Sequence, residues 1–212
     1  MLAQNSKNLY PLIQDTINIL SAEKISVVRK AKIQGLVDYI QMKIKLAEEI
    51  NLNFICTHNS RRSQLAQLWA QTAAWYYDVP VNCYSGGVEE TAFNERAVAS
   101  IQRAGFKVTS TEGENPQYKV SFSKETDPLV MYSKLYDDST NPSSNFAAIM
   151  TCSHADENCP LIPGAEKRIP LLYDDPKDFD GTVEEQKKYD ERSRQIATEL
   201  FYVFAQITKQ DG

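Results

Sequence analysis

Apolar residues fall at helical spacing through roughly the first 48 positions, and from residue 50 short strand-like apolar runs alternate with helical stretches. In the stretch EKISVVRKAKIQGLVDYIQMKIKLAEEI, residues Ile33, Leu36, Val37, Ile40, Ile44 and Ala47 follow the i, i+3, i+4, i+7 rule. They predict a helix with one buried stripe. Together with the segment before it, this predicts an N-terminal helical extension over residues 1–48, docked as a hairpin or held out as a partner-binding arm. The run INLNFIC (50–56) then reads as a buried strand, and SQLAQLWAQTAAWYY (63–77) returns to helical spacing. VNCYSGG (81–87) is a second strand ended by glycines. FNERAVASIQRAGF (93–106) is a helix capped by Asn94 and stopped at Gly105. FAAIMTCS (146–153) and KRIPLLYDD (167–175) predict a third and a fourth strand, and the tail from Thr182 to Ile207 predicts a long amphipathic helix with Thr182 as its cap.

Strands alternating with helices imply parallel pairing, hence an α/β fold. The expected architecture is a three-layer sandwich on a four-stranded parallel sheet, with helices on both faces. It occupies residues 49–212 and is interrupted by an insertion at about 111–145. That insertion is rich in turn formers, yet YKVSFS and LVMYSKLY alternate well enough for a hairpin lying over the site.

Composition narrows the function. A chain of 212 residues, 42% hydrophobic and 24% charged, builds one main domain with a substantial core. A formal net charge of −5 argues against a nucleic-acid binder, so any anion site must be local. No apolar run approaches the ~20 residues of a membrane span, and the first residues lack the basic and apolar regions of a secretion signal. The expectation is therefore a cytoplasmic protein with no membrane or nucleic-acid partner. Four cysteines, Cys56, Cys83, Cys152 and Cys159, are too few for a disulfide scaffold and leave catalysis, metal binding or packing as their uses.

The densest chemistry lies in FICTHNSRRSQLAQLW (54–69). A strand delivers Cys56, five residues follow, and Arg62 and Ser63 open a helix. A tight strand-to-helix loop turns successive backbone N–H groups inward, and the helix terminus adds positive partial charge. Arg62 can offer a bidentate fork to the same anion. The cup over Thr57, His58, Asn59, Ser60, Arg61, Arg62 and Ser63 thus suits a tetrahedral oxyanion, and it favours the thiolate form of Cys56 as a nucleophile. Ser63 is placed to hydrogen-bond the sulfur. Asn59 tolerates the left-handed backbone angles of such a turn. His58 reads as a loop residue and Arg61 as a solvated one. Plain packing is the competing use of Cys56. Cys83 reads as core.

Farther on, TCSHADENCPLIPG (151–164) sets Cys152 and Cys159 seven apart after a buried strand, and YDDPKDF places Asp175 before a proline. Zinc held by Cys152, His154, Asp156 and Cys159 is an alternative use of the first segment, although the paired knuckle spacing of zinc sites is missing, and no metal is expected. The residues 153–158 between the cysteines read as a polar, mobile loop. Asp174 and Asp175 could equally end a strand and start a turn.

The Cys56–Arg62–Ser63 loop resembles the phosphate loop of the low-molecular-weight protein tyrosine phosphatase superfamily. With Cys152, Cys159, Asp175 and the phrase VNCYSGGVEETAFNERAVASIQRAGFKVTS, the likeness is to that superfamily's thioredoxin-coupled arsenate reductases over most of residues 50–205. Gln67 stands where a potassium-binding reductase carries Glu, and Lys177 where a tyrosine phosphatase carries an aromatic residue. The resemblance implies reduction of arsenate through a Cys56 adduct, a disulfide cascade through Cys152 and Cys159, and Asp175 as general acid. It further implies no bound cofactor and thioredoxin as external reductant. The alternative is hydrolysis of phosphomonoesters through a Cys56 phosphocysteine. The N-terminal helices leave a homo-oligomer open.

Overall fold

The computed structural model describes residues 7–20, 23–158 and 161–208. In chain order these form α1 (Pro11–Leu20), α2 (Val27–Lys45), β1 (Ile50–Cys56), α3 (Arg62–Tyr76), β2 (Val81–Gly87), α4 (Glu95–Arg103), β3 (Lys107–Ser110), β4 (Tyr118–Ser121), β5 (Leu129–Met131), β6 (Phe146–Met150), α5 (Ser153–Asn158), β7 (Ala165–Pro170), a 3-10 turn (Pro176–Phe179) and α6 (Glu185–Thr208).

β1, β2, β6 and β7 form a parallel sheet of order β2-β1-β6-β7. β1 is buried at every position, and its two asparagines are spent on carbonyls: Asn51 Nδ2 donates to Asn145 O at 3.4 Å and Asn53 Nδ2 to Tyr136 O at 3.0 Å. One side of the sheet, with Leu52, Phe54, Ala147, Ile149 and Ile169, joins a single core with residues of α1, α2, α3, α4 and α6, including the buried Trp69 and Phe204. The other side, with Ile55, Phe146, Ala148 and Met150, packs a smaller core that includes Ala155 of α5 and Ile162. The second face is thus covered by one short helix and irregular chain rather than by a full helical layer. The hairpin expected in the insertion forms as β4 and β5, and it gains β3 as a third antiparallel strand.

Several local expectations are corrected. In α2 the buried stripe is Ile33, Leu36, Val37 and Ile40, but Ile44 is 37% exposed and Ala47 lies past the helix end at φ +53°. Tyr39 and Lys43 take the buried places, because Glu166 of β7 accepts from Tyr39 Oη at 2.8 Å and from Lys43 Nζ at 2.9 Å. Asn94 caps α4 through Arg96 and Ala97 N–H, and Gly105 follows at φ +108°, where a Cβ would stand 2.7 Å from the Ile13 amide of α1. Thr182 closes a turn with Phe179 instead of capping α6, which begins at Glu185.

The Lys43 hydrogen bond lowers the Glu166 carboxyl below its usual range. A depressed carboxylate contributes stability that is complete above the unfolded value of ~4.3 and is lost as pH falls through the folded one. Glu166→Gln is therefore expected to flatten the acid side of the stability curve in urea titrations between about pH 7 and pH 3.

Candidate active site

The order β2-β1-β6-β7 makes the chain leave β1 toward one edge of the sheet and β6 toward the other, which opens a crevice at their carboxyl ends. Cys56 ends β1. Thr151 N–H donates to Ile55 O at 2.7 Å, so Cys152 starts from the neighbouring strand end. The chain after β7 stays in register, with Tyr173 N–H donating to Thr151 O at 3.1 Å, and carries Asp175 to the same end. Cys56, Cys152 and Asp175 therefore converge although 119 positions separate the first from the last.

The loop 57–61 is held from outside by its carbonyls. Thr57 O accepts from Val88 and Glu89 N–H, His58 O from Ser133 Oγ at 2.8 Å, Asn59 O from Gln64 Nε2 at 2.9 Å, and Ser60 O from Asn94 N–H at 2.9 Å. With every one of these oxygens turned outward, the amide N–H groups of His58 to Arg62 have no partner among the described residues. Such a row of convergent donors at a helix start is an anion cradle. Asn59 makes the turn at φ +46°.

Ser63 Oγ lies 3.0 Å from Cys56 Sγ and accepts from Asn59 Nδ2 at 2.9 Å, which leaves the serine proton for the sulfur. Asn59 Oδ1 accepts from Lys134 N–H at 3.0 Å and from Gln64 Nε2 at 3.1 Å, so the insertion buttresses the loop from behind. Gly87 permits that packing. A Cβ on it would stand 2.7 Å from Asn59 N and 2.5 Å from Glu89 O. Gly87→Ala is expected to cost about 1–3 kcal/mol by overpacking and to impair oxyanion binding, as read by thermal unfolding with and without inorganic phosphate.

Arg62 donates to Asp175 Oδ2 at 2.6 Å and to Tyr173 O at 3.0 Å, while its buried Nε has no partner among the described residues. Asp175 also caps the 3-10 turn through Lys177 N–H at 3.1 Å, so it has a structural task beside any chemical one. Asp174 points outward to Arg192, at 3.2 Å. Arg61 is not solvated as expected. Its side chain is 15% exposed and donates to Tyr189 Oη at 2.9 Å, with Asp180 at 3.7 Å. His58 pairs loosely with Glu89 at 3.3 Å on the surface.

Cys152 is buried, and its Sγ accepts from Ala155 N–H at 3.4 Å. The segment 153–158, expected as a loop, is the short helix α5, held to β7 by Asp156 and Arg168 at 2.6 Å. Cys159 lies outside the described residues. Cys83 is a core thiol of β2, and burial raises its ionisation well above the usual range. Gln67 is buried and spent on β2: its amide donates to Cys83 O at 3.1 Å and accepts from Ser85 Oγ at 2.7 Å.

Sequence reasoning missed the partners that hold these groups. Tyr189 and Asp180 around Arg61, and Lys134 around Asn59, carry no local signal because their contacts are made only by the fold. The same applies to α2. Arg29 donates both arms of its guanidinium to Glu199 of α6 at 2.7 and 2.8 Å, and lies 4.8 Å from the centroid of the buried Tyr173 ring. The extension thereby packs beneath the strand end that supplies Asp175.

No protein-family model matches the chain. An arsenate reductase of Bacillus licheniformis is 29% identical over 154 residues, which cover 72% of this chain and 93% of the relative. One of Staphylococcus aureus strain Newman is 31% identical over 126 residues, 58% and 76% of the two chains. Among solved structures, the low-molecular-weight phosphotyrosine phosphatase of Vibrio cholerae O395 superposes with a TM-score of 0.52 at 12% identity, covering 77% of this chain and 99% of that one. The fold is that of the low-molecular-weight phosphatases, and the chain belongs to the arsenate reductase family. Among the described residues no helix is long and apolar enough to cross a membrane.

Proposed function

We propose that the protein reduces arsenate to arsenite through Cys56, Cys152 and Cys159, with thioredoxin as the reductant. The observation that carries this reading is the placement of Cys152 at the strand end beside Cys56, with Thr57 Oγ1 3.4 Å from the Cys152 sulfur. Hydrolysis through a phosphocysteine needs no second thiol, and in a phosphatase Cys152 would serve only as redox protection.

Arsenate binds the outward-held loop through the amides of residues 58–62 and through Arg62. In the structure Arg62 and Asp175 satisfy each other; the oxyanion takes over the guanidinium fork and leaves Asp175 free to deliver a proton. The Cys56 thiolate attacks arsenic, and an arsenic oxygen departs with the proton from Asp175. The Cys152 thiolate then attacks Cys56 Sγ. The S–S bond forms, the S–As bond breaks, and its electron pair reduces arsenic(V) to arsenic(III). Cys159 next attacks Cys152 Sγ and frees Cys56. The final Cys152–Cys159 disulfide takes two electrons from thioredoxin, for which α5 has to open.

Purified protein mixed with arsenate, thioredoxin, thioredoxin reductase and NADPH is expected to consume NADPH in proportion to arsenate. Cys152→Ser and Cys159→Ser should each abolish that turnover. A second reading rests on the contact of Arg62 with Asp175 beside Cys56, which suffices for phosphomonoester hydrolysis through a phosphocysteine. Brisk hydrolysis of an aryl phosphate, unaffected by the two serine variants and without arsenate-dependent oxidation, would establish it instead.

A further inference from the structure

Thr57, the residue after the nucleophile, aims its hydroxyl at two groups beyond β6. Cys152 Sγ is 3.4 Å from Oγ1 and His154 Nδ1 is 3.2 Å from it. Thr57 and Cys152 are buried, whereas His154 lies on the exposed side of α5. A threonine hydroxyl has one proton to give and two lone pairs to accept with. When Nδ1 accepts that proton in a hydrogen bond, the oxygen remains open to the Cys152 S–H, and a path runs from thiol to hydroxyl to imidazole.

Among the described residues, the charged groups near that path are engaged elsewhere or exposed. β1 and β6, the strands α5 packs against, carry no charged residue, and the titratable group they present is Cys56. Arg168 of β7 is engaged by Asp156, and Glu157 is exposed on α5.

We infer that His154, acting through Thr57, takes the proton from Cys152 as that thiol attacks Cys56. The thiol proton moves to Thr57 Oγ1 while the hydroxyl proton moves to His154 Nδ1. The result is a thiolate on Cys152 and an imidazolium that can release its proton to water. The inference rests on the cascade read above, but its test needs no arsenate.

In a Cys159→Ser protein, hydrogen peroxide converts the Cys56 thiolate to a sulfenic acid, which either closes onto Cys152 with loss of hydroxide or is trapped by dimedone. The ratio of Cys56–Cys152 disulfide to trapped Cys56, read by mass spectrometry, reports Cys152 attack independently of the oxidation rate. At pH 7 the ratio is expected to fall by about 10²-fold in His154→Gln. The gap should narrow as the pH is raised, because hydroxide then removes the thiol proton directly, and imidazole should restore His154→Ala. Thr57→Val should match His154→Gln. Equal ratios at every pH, or a loss that neither alkali nor imidazole repairs, would overturn the inference. Closure that depends on His154, with no arsenate-dependent oxidation of the intact protein, would leave the relay standing and remove the arsenate reading instead.

Discussion

Cys56→Ser is expected to lower arsenate-dependent turnover by at least about 10⁴-fold, into the background of the assay, because the hydroxyl that replaces the thiol is a far poorer nucleophile and cannot enter a disulfide. The loop itself should survive. Its carbonyls are held by Val88, Glu89, Ser133, Gln64 and Asn94, none of which depends on the sulfur, and Ser63 Oγ keeps its bond from Asn59. The variant should therefore still bind inorganic phosphate or arsenate, as measured by calorimetry or by a rise in melting temperature. Lost turnover with retained oxyanion binding separates the chemical role of the sulfur from a packing role. Loss of both would mean that Cys56 is needed to build the cup.

The second large effect lies outside the cup. Glu199→Ala leaves Arg29 unpaired where its side chain is 16% exposed and that of Glu199 only 4%. Removing one partner of a buried ion pair costs about 3–5 kcal/mol, which in a chain of this size lowers the melting temperature by about 10 °C. The cost arises from the stranded charge rather than from the pair's net worth. The double variant Arg29→Met, Glu199→Leu should accordingly recover most of it. Tyr173 lies against Arg29 and gives its carbonyl to Arg62, so the single variant should also loosen the chain before Asp175. Chemical unfolding of the three variants, with turnover measured below the transition, distinguishes the two consequences.

The parts of the fold legible in the sequence are those whose signals are local. β1 and β6 are short apolar runs bounded by turn residues, Asn94 and Gly105 mark the ends of α4, and Cys56, Arg62 and Ser63 sit at a spacing that only a strand-to-helix loop uses well. The errors are equally physical. SHADEN looks like a loop because Ser153, His154, Asp156 and Asn158 outnumber its two good helix formers, Ala155 and Glu157, yet the Cys152 sulfur receives an end amide and Arg168 holds Asp156 from β7. Propensity yields there to tertiary contact. Ile44 and Lys43 exchange the expected inside and outside because Glu166 offers the ammonium a partner at the edge of the sheet, and an apolar residue has no comparable reason to be there. Arg61 looks solvated until α6 brings Tyr189 beside it. The buttress of Asn59 by Lys134 spans 75 positions and the Arg29–Glu199 pair spans 170. Neither leaves a trace in spacing or composition.

The most direct test of the account is a single turnover in the Cys159→Ser protein. Mixed with arsenate and no reductant, quenched in acid and digested without reduction, it is predicted to yield one equivalent of arsenite and one cross-linked pair of peptides, one containing Cys56 and the other Cys152. Arsenite released without that cross-link, or Cys56 joined to a different thiol, would contradict the placement of Cys152 as the second member of the cascade.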